Sequence, residues 1–416
     1  MRIAMLSYHT CPLATLGGKD TGGMNVYVRD LTRELGRFGI GVDVFTRSQD
    51  EHVPHVLHHL GYGNRVVHIP AGPEIPMSKL QLAEHLDIFT DGVREFAESK
   101  DEKYDIIHSH YWLSGLVGLS LREEWNIPLI QMFHTLARMK DRVARNAEEE
   151  PSKLRLDSEG QLLRKADRVV AATPAEVAQI QWLYREDTDR VVVIPPGVDT
   201  SRFYPISKDE AKEFIGVPCP DRMLLFVGRI EPLKGVDTLI EAVGILQSEG
   251  VFNEQPYCLA VIGGDTHISR EQMTDEMDRL QSLGKSLGVH DLVTFLGRRD
   301  QDTLQYYYSA AEVVVVPSYY ESFGLVALEA MACGTPVVAS ETGGLAFLVK
   351  DGETGFHVPA NDPKALAERL RIIIQDDVLR ERLGAQAAEY AKTFAWSKII
   401  DQIVDLYGSL LGDKLA

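Results

Sequence analysis

Four consecutive valines, Val313 to Val316, constrain the fold of this chain more than any other feature. A strand that is apolar on both faces must be covered on both faces, the situation of a parallel sheet wrapped by crossover helices. Similar runs alternate with helix-period segments through two successive halves. Strands are expected at 3–7, 42–46, 65–69, 104–108, 128–131, 168–172 and 191–194, then at 223–227, 259–262, 293–296, 313–316 and 337–339. This alternation predicts an α/β protein built from doubly wound domains. At 416 residues the chain exceeds one ordinary core. Clustered Pro and Gly from Pro195 to Pro205 stop regular structure and read as a hinge. Domains are therefore expected at 1–198 and 199–395. A last piece, 396–416, holds an amphipathic helix with Ile399, Ile400, Ile403, Val404, Tyr407, Leu410 and Leu411 on one side.

Charge narrows the partners. A net charge of −18 works against binding nucleic acid or an anionic membrane surface, although a local basic pocket remains compatible with it. No run approaches the roughly eighteen apolar residues of a membrane helix. Met1 to Leu6 lead straight into a strand pattern with no leader segment, so cytoplasmic residence is expected. Cys11, Cys219, Cys258 and Cys333 show no CxxC spacing and read as structural thiols.

The segment after the valines carries chemistry. Glu321 falls in the loop beyond the strand, Phe323-Gly324-Leu325 open a helix, and Glu329 lies further along it. Unpaired amides at a helix start hold anions such as a diphosphate, and a carboxylate on either side suits the hydroxyls of a nucleotide sugar. A Glu at such a place also serves simply as a cap or dipole partner. Gly22-Gly23 precede a helical pattern and permit close approach of a backbone amide to phosphate, or make only a turn. They do not form a GxGxxG dinucleotide fingerprint. Arg229 and Lys234, framed by Gly228 and Gly235, sit just past the first strand of the second half. Two cations there make a diphosphate clamp, or are solvated surface charges. His134 follows a strand, and a lone His so placed is usually structural. His9 closes the first strand. His108 and His110 have the i, i+2 spacing of a metal pair but no third ligand cluster, and read as loop and packing residues. Asp187-Thr188-Asp189 mimics a metal-binding D-x-D triplet, yet its place just before a strand and beside the hinge suits a turn.

The string around Glu321 resembles the E-x-F-G-x-x-x-x-E segment of retaining glycosyltransferases of the GT-B fold, family four of that class, and the resemblance extends over almost the whole chain. It implies two Rossmann-like domains facing each other across a cleft. The first would bind acceptor, the second nucleotide sugar, and the last helix would cross back to the first. The catalytic residues it implies are His134, Arg229, Lys234 and Glu321. The donor would meet His9, Gly22, Gly23, Arg229, Lys234, Arg298, Glu321, Ser322, Phe323, Gly324, Leu325 and Glu329. In this family cationic side chains and a helix terminus replace a catalytic metal. No cofactor is therefore expected beyond the UDP-sugar substrate, with room left for a structural magnesium ion.

Within the family, Gly22 to Tyr27, His108 to Gly115 and His134-Thr135-Leu136 resemble the branch that glycosylates inositol phosphate in mycothiol synthesis, and less closely bacterial sucrose-phosphate synthases. Both parallels imply a phosphorylated acceptor, at Asn25, Lys79, Tyr111, Thr135 and Arg155. A Lys and an Arg joined by two hydroxyls suit a phosphate monoester. The chain departs from the mycothiol pattern at Leu136 to Arg142, where extra positive charge would alter the acceptor pocket. The expected reaction moves a glycosyl group from UDP-N-acetylglucosamine or UDP-glucose to a hydroxyl of a phosphorylated acceptor such as inositol phosphate. Transfer to fructose 6-phosphate is the alternative, and a non-catalytic sugar-nucleotide-binding protein is the rival of another class. Partners are expected to be small molecules, with no nucleic acid, no integral membrane segment, and a homodimer left open.

Overall fold

Fourteen strands form two sheets in the structure, a computed structural model that describes residues 1–15, 21–144, 150–216, 222–253, 257–264 and 275–412. The first sheet contains β1 (Arg2–Leu6), β2 (Gly41–Arg47), β3 (Val56–Leu57), β4 (Arg65–Ile69), β5 (Ile106–His110), β6 (Leu129–Met132), β7 (Arg168–Ala171) and β8 (Val191–Val193). Its order is β3-β4-β2-β1-β5-β6-β7-β8, parallel except for the short β3, which pairs antiparallel with β4. The second contains β9 (Arg222–Val227), β10 (Tyr257–Ile262), β11 (Val293–Gly297), β12 (Val313–Val316), β13 (Val337–Ser340) and β14 (Gly355–Val358), in the order β11-β10-β9-β12-β13-β14. All its pairings are parallel.

The four valines of β12 are buried throughout, as a strand covered on both faces requires. Residues 1–14, 23–197 and 396–416 make one unit, and residues 15–22 and 198–395 the other. Each has its own core, around Ile107, Leu113, Leu129 and Leu162 in the first and Leu224, Leu239, Val261 and Leu370 in the second.

The final helix, Trp396–Leu411, belongs to the first unit and buries Ile399, Ile400, Ile403 and Tyr407. Trp396 lies 5.6 Å from the Tyr27 ring, and a Cβ on Gly197 would fall 2.4 Å from the indole. The helix thus fits only because position 197 has no side chain. At the opposite, N-terminal edge of the strands, Asp43 of β2 is 0% exposed and accepts hydrogen bonds from Arg2 (Nε 3.0 Å, Nη2 2.9 Å), Arg65 (Nε 2.6 Å, Nη2 2.7 Å) and the Tyr104 hydroxyl (2.7 Å).

Three expectations need correction. β5 reaches His110, so His108 and His110 are fully buried strand residues and not loop residues. β3 and β14 were not anticipated, since one is two residues long and the other opens on Gly and contains His357. Cys258 is disulfide-bonded rather than a free thiol, whereas Cys11 and Cys333 are free; Cys219 lies outside the described residues.

Candidate active site

Strand order reverses twice, once in each sheet, and each reversal gathers side chains. In open α/β sheets ligands bind beyond the carboxyl ends of the strands, where neighbouring crossovers diverge. In the first unit this point lies between β1 and β5. His9 follows β1 and Tyr111 follows β5, with ring centroids 4.5 Å apart. Tyr111 takes φ 76°, ψ 160°, a region that normally suits glycine alone, as it caps the helix Trp112–Trp125. Strain of this kind persists only where the surroundings over-determine the residue, and Tyr111 is buried among them.

Two cations approach its ring. The Lys79 ammonium, at the first position of a helix capped by Ser78 and Gln81, lies 5.7 Å from the centroid. The Arg155 guanidinium lies 4.9 Å from it, and its Nη2 donates to the Thr135 carbonyl (2.8 Å) and hydroxyl (3.1 Å). Lys79, Tyr111, Thr135 and Arg155, far apart in sequence, therefore converge in one place. Arg155 is 6% exposed; burial alone would lower its basicity, but Tyr111 and Glu159 raise it above the ordinary value. Asn25 is tied into the loop after β1. Its amide donates to the Thr10 hydroxyl and the Cys11 carbonyl, both at 2.7 Å, tying the loop after β1 to the helix Gly23–Arg37.

One residue of this cluster escaped sequence reasoning. Glu159 is 0% exposed and accepts from Arg155 Nε (2.7 Å), from the Ala137 amide (2.8 Å) and from the Tyr184 hydroxyl. Arg and Glu four apart on a helix look like an ordinary surface pair, and only the fold reveals the burial.

His134, also at positive φ (60°), shares a hydrogen bond between its Nε2 and His110 Nδ1 at 3.0 Å, while the Tyr407 hydroxyl and His108 Nδ1 are joined at 2.7 Å. Although His134 keeps some accessible surface, its ring is packed beside His110 and Tyr27. Burial, and secondarily the neighbouring His108, push His134 down to about 3; burial pushes His108 to about 3 as well. Unfolded histidines titrate near 6.5. Between about pH 3 and 6.5 the unfolded chain thus binds protons that the folded one refuses, and stability contributed by these rings falls as pH drops through that window. Two-dimensional NMR of the imidazoles should show them neutral from pH 5 to 8; a titration near 6.5 would contradict this burial.

In the second unit the reversal lies between β9 and β12. The loops following these strands interlock at Gly235 (φ 67°), where a Cβ would come 2.1 Å from the Pro317 carbonyl. That contact brings Lys234, at the end of the turn Pro232–Lys234, to Glu321: Nζ donates to Oε2 at 2.5 Å. Arg229 pairs with Glu231 at 2.8 Å, and Gly22, grouped with this unit, lies close enough that its Cβ would be 3.8 Å from Arg229 Nε. Gly324 takes φ 103° to start the helix Leu325–Ala332, between half-buried Ser322 and buried Phe323 on one side and Leu325 on the other.

Glu329 is 6% exposed and accepts from Gln301 Nε2 (3.1 Å) and the Tyr308 hydroxyl (2.8 Å). Arg298 stands exposed past β11, and among the described residues no hydrogen bond or ion pair joins it to Lys234, Glu321 or Glu329. Asp187 accepts from the Asp189 amide at 3.0 Å, forming a turn. Among the described residues no three His, Cys, Asp or Glu side chains are grouped as metal ligands.

Residues 22–197 match the family "Glycosyl transferase 4-like domain" and residues 207–390 match "Glycosyl transferases group 1". The D-inositol 3-phosphate glycosyltransferase of Nocardiopsis dassonvillei is 41% identical over 98% of this chain and 94% of its own. That of Corynebacterium diphtheriae is 39% identical over 98% of this chain and 94% of its own. The sucrose-phosphate synthase from Thermosynechococcus elongatus superposes with a TM-score of 0.89 at 35% identity, covering 98% of both chains. Anabaena HepE in complex with UDP-glucose shares the fold, with a TM-score of 0.75 at 22% identity over 99% of this chain and 100% of its own. No described helix is long and apolar enough to cross a membrane. With both halves matched and relatives of this identity along nearly its whole length, the chain belongs to the group 1, 4-like glycosyltransferases, with the paired parallel-sheet α/β domains of the GT-B fold.

Proposed function

We propose that this glycosyltransferase moves a glycosyl group from a UDP-sugar, UDP-N-acetylglucosamine or UDP-glucose, to a hydroxyl of a phosphorylated acceptor such as inositol phosphate, with retention at the anomeric carbon. The observation that carries the reading is the convergence of Lys79, Arg155, Tyr111 and Thr135 at the carboxyl ends of the first sheet. Two cations gathered about one tyrosine ring, with the Thr135 hydroxyl bound to one of them, suit the charge of a phosphate monoester. The names of the relatives from Nocardiopsis and Corynebacterium support inositol phosphate as the acceptor.

The second unit binds the donor. As the bond from the anomeric carbon to UDP breaks, negative charge grows on the diphosphate, and preorganised positive groups lower that barrier. Arg229, Lys234 and the amides at Leu325 and Gly23 supply them without a catalytic metal. The acceptor oxygen attacks the same face, and its proton passes to the departing phosphate. Glu321 orients sugar hydroxyls, Glu329 the ribose, and neutral His134 the 6-position of the sugar. Arg298 and His9 complete the donor contacts.

Sucrose-phosphate synthase chemistry is the second reading, favoured by the TM-score of 0.89 to a solved member of that group. One panel separates the two. The protein is incubated with each UDP-sugar and with inositol phosphate, fructose 6-phosphate or their unphosphorylated parents, and UDP release is followed. Turnover is expected with phosphorylated inositol and not with its parent; equal rates with both would sink the phosphate pocket. Arg155→Ala should raise the KM for the phosphorylated acceptor about 10- to 100-fold, the cost of a hydrogen-bonded charge contact, with kcat nearly kept.

A further inference from the structure

The Arg155 side chain has three restraints and one open end. Its guanidinium carbon lies 4.9 Å from the Tyr111 ring centroid, Nη2 is committed to Thr135, and Nε is committed to Glu159 at 2.7 Å. Nη1 makes no hydrogen bond among the described residues. A guanidinium is a rigid planar fork, so fixing Nε and one terminal nitrogen fixes where the other nitrogen points.

Glu159 is itself held by three donors. One carboxylate oxygen takes Arg155; the other takes the Ala137 amide at 2.8 Å and the Tyr184 hydroxyl. Tyr184 ends the π-helical turn Ile180–Tyr184, a wide turn of the kind that recurs at functional sites. Its hydroxyl accepts from the Arg138 amide at 3.2 Å, and its ring lies 5.2 Å from the Arg138 guanidinium. The first turn of the helix Ala137–Val143 and the π turn are thus both fastened to the carboxylate that holds Arg155.

We propose that Glu159, backed by Tyr184, is the positioning residue of the acceptor pocket: it aims the Arg155 fork so that Nη1 meets a phosphoryl oxygen of the acceptor. The proposal rests on the phosphorylated-acceptor reading given above. Glu159 touches no substrate in this arrangement and acts through Arg155 alone.

Steady-state kinetics of the full chain test it, with inositol phosphate as the varied acceptor and Arg155→Ala, Glu159→Ala, Tyr184→Phe and the double variant Arg155→Ala/Glu159→Ala compared. Glu159→Ala should raise acceptor KM about 10- to 100-fold and Tyr184→Phe by a smaller factor of about 3 to 10, while donor KM stays within about twofold. Residues acting as one unit are non-additive, so the double variant should be no worse than Arg155→Ala alone. A buried carboxylate that merely supported the fold would shift donor KM too and would add to the Arg155 effect; either result overturns the proposal. If Glu159→Ala does not fold, Tyr184→Phe decides, in the native and Arg155→Ala backgrounds: no change in acceptor KM, or the same change in both, overturns it. If Arg155→Ala shifts acceptor KM but neither Glu159→Ala nor Tyr184→Phe does, the phosphate reading stands and the positioning role falls. If Arg155→Ala has no effect, both fall together.

Discussion

Replacing Lys234 by alanine should lower kcat by about 10²- to 10³-fold, the usual effect of deleting one preorganised group that faces charge developing in a transition state. Acceptor KM should stay within about threefold, because interactions made only in the transition state leave ground-state binding alone. Lys234 is well placed for this loss. It sits where the strand order of the second sheet reverses, and its ammonium already touches Glu321, the carboxylate assigned to the sugar. Both partners are partly exposed, so little stability is lost with the pair and the kinetic effect can be read directly. Turnover at the native level would remove Lys234 from leaving-group stabilisation.

Asp43→Ala should produce the largest loss of stability. Removing one partner of a buried ionic network leaves uncompensated charge and costs about 3–5 kcal/mol. Here Arg2, Arg65 and the Tyr104 hydroxyl would all lose their common acceptor, with Glu102 the one carboxylate among the described residues still paired with the two guanidiniums. Urea unfolding followed by circular dichroism measures the change; a loss below about 1 kcal/mol, the level of a surface pair, would show that the network adds little. Burial acts to raise the Asp43 pKa, but hydrogen bonds from Arg65, Tyr104 and Arg2 outweigh it and hold the carboxyl below its ordinary value. Its contribution is therefore complete above the ordinary carboxylate range and declines as pH falls through the depressed folded value.

Strands buried on both faces declare themselves, and β12 could hardly be read otherwise. β5 could not be read to its end, because Ser109 and the two histidines are polar and become interior only through partners such as Tyr407 and His134, remote in sequence. The cations at Lys79 and Arg155 were assigned to one pocket through family likeness. Spacing carries no information about which loops of a doubly wound sheet meet. Glu159 was overlooked for the same reason: its charge and spacing are those of a solvent-facing helix pair, and its role depends on Tyr184 and Ala137 arriving from elsewhere. Glu329 shows the converse, since its position was anticipated but not its bonds to Gln301 and Tyr308.

The unit that begins the chain is completed by Trp396–Leu411. During translation the ribosome must therefore make all of Val198–Ala395 before the surface around Tyr27 and His108 receives its cover. At biological elongation rates that interval is on the order of tens of seconds. Over that time the sites that Trp396 and Tyr407 fill lack their native partners, whereas the half made later can close as soon as it emerges.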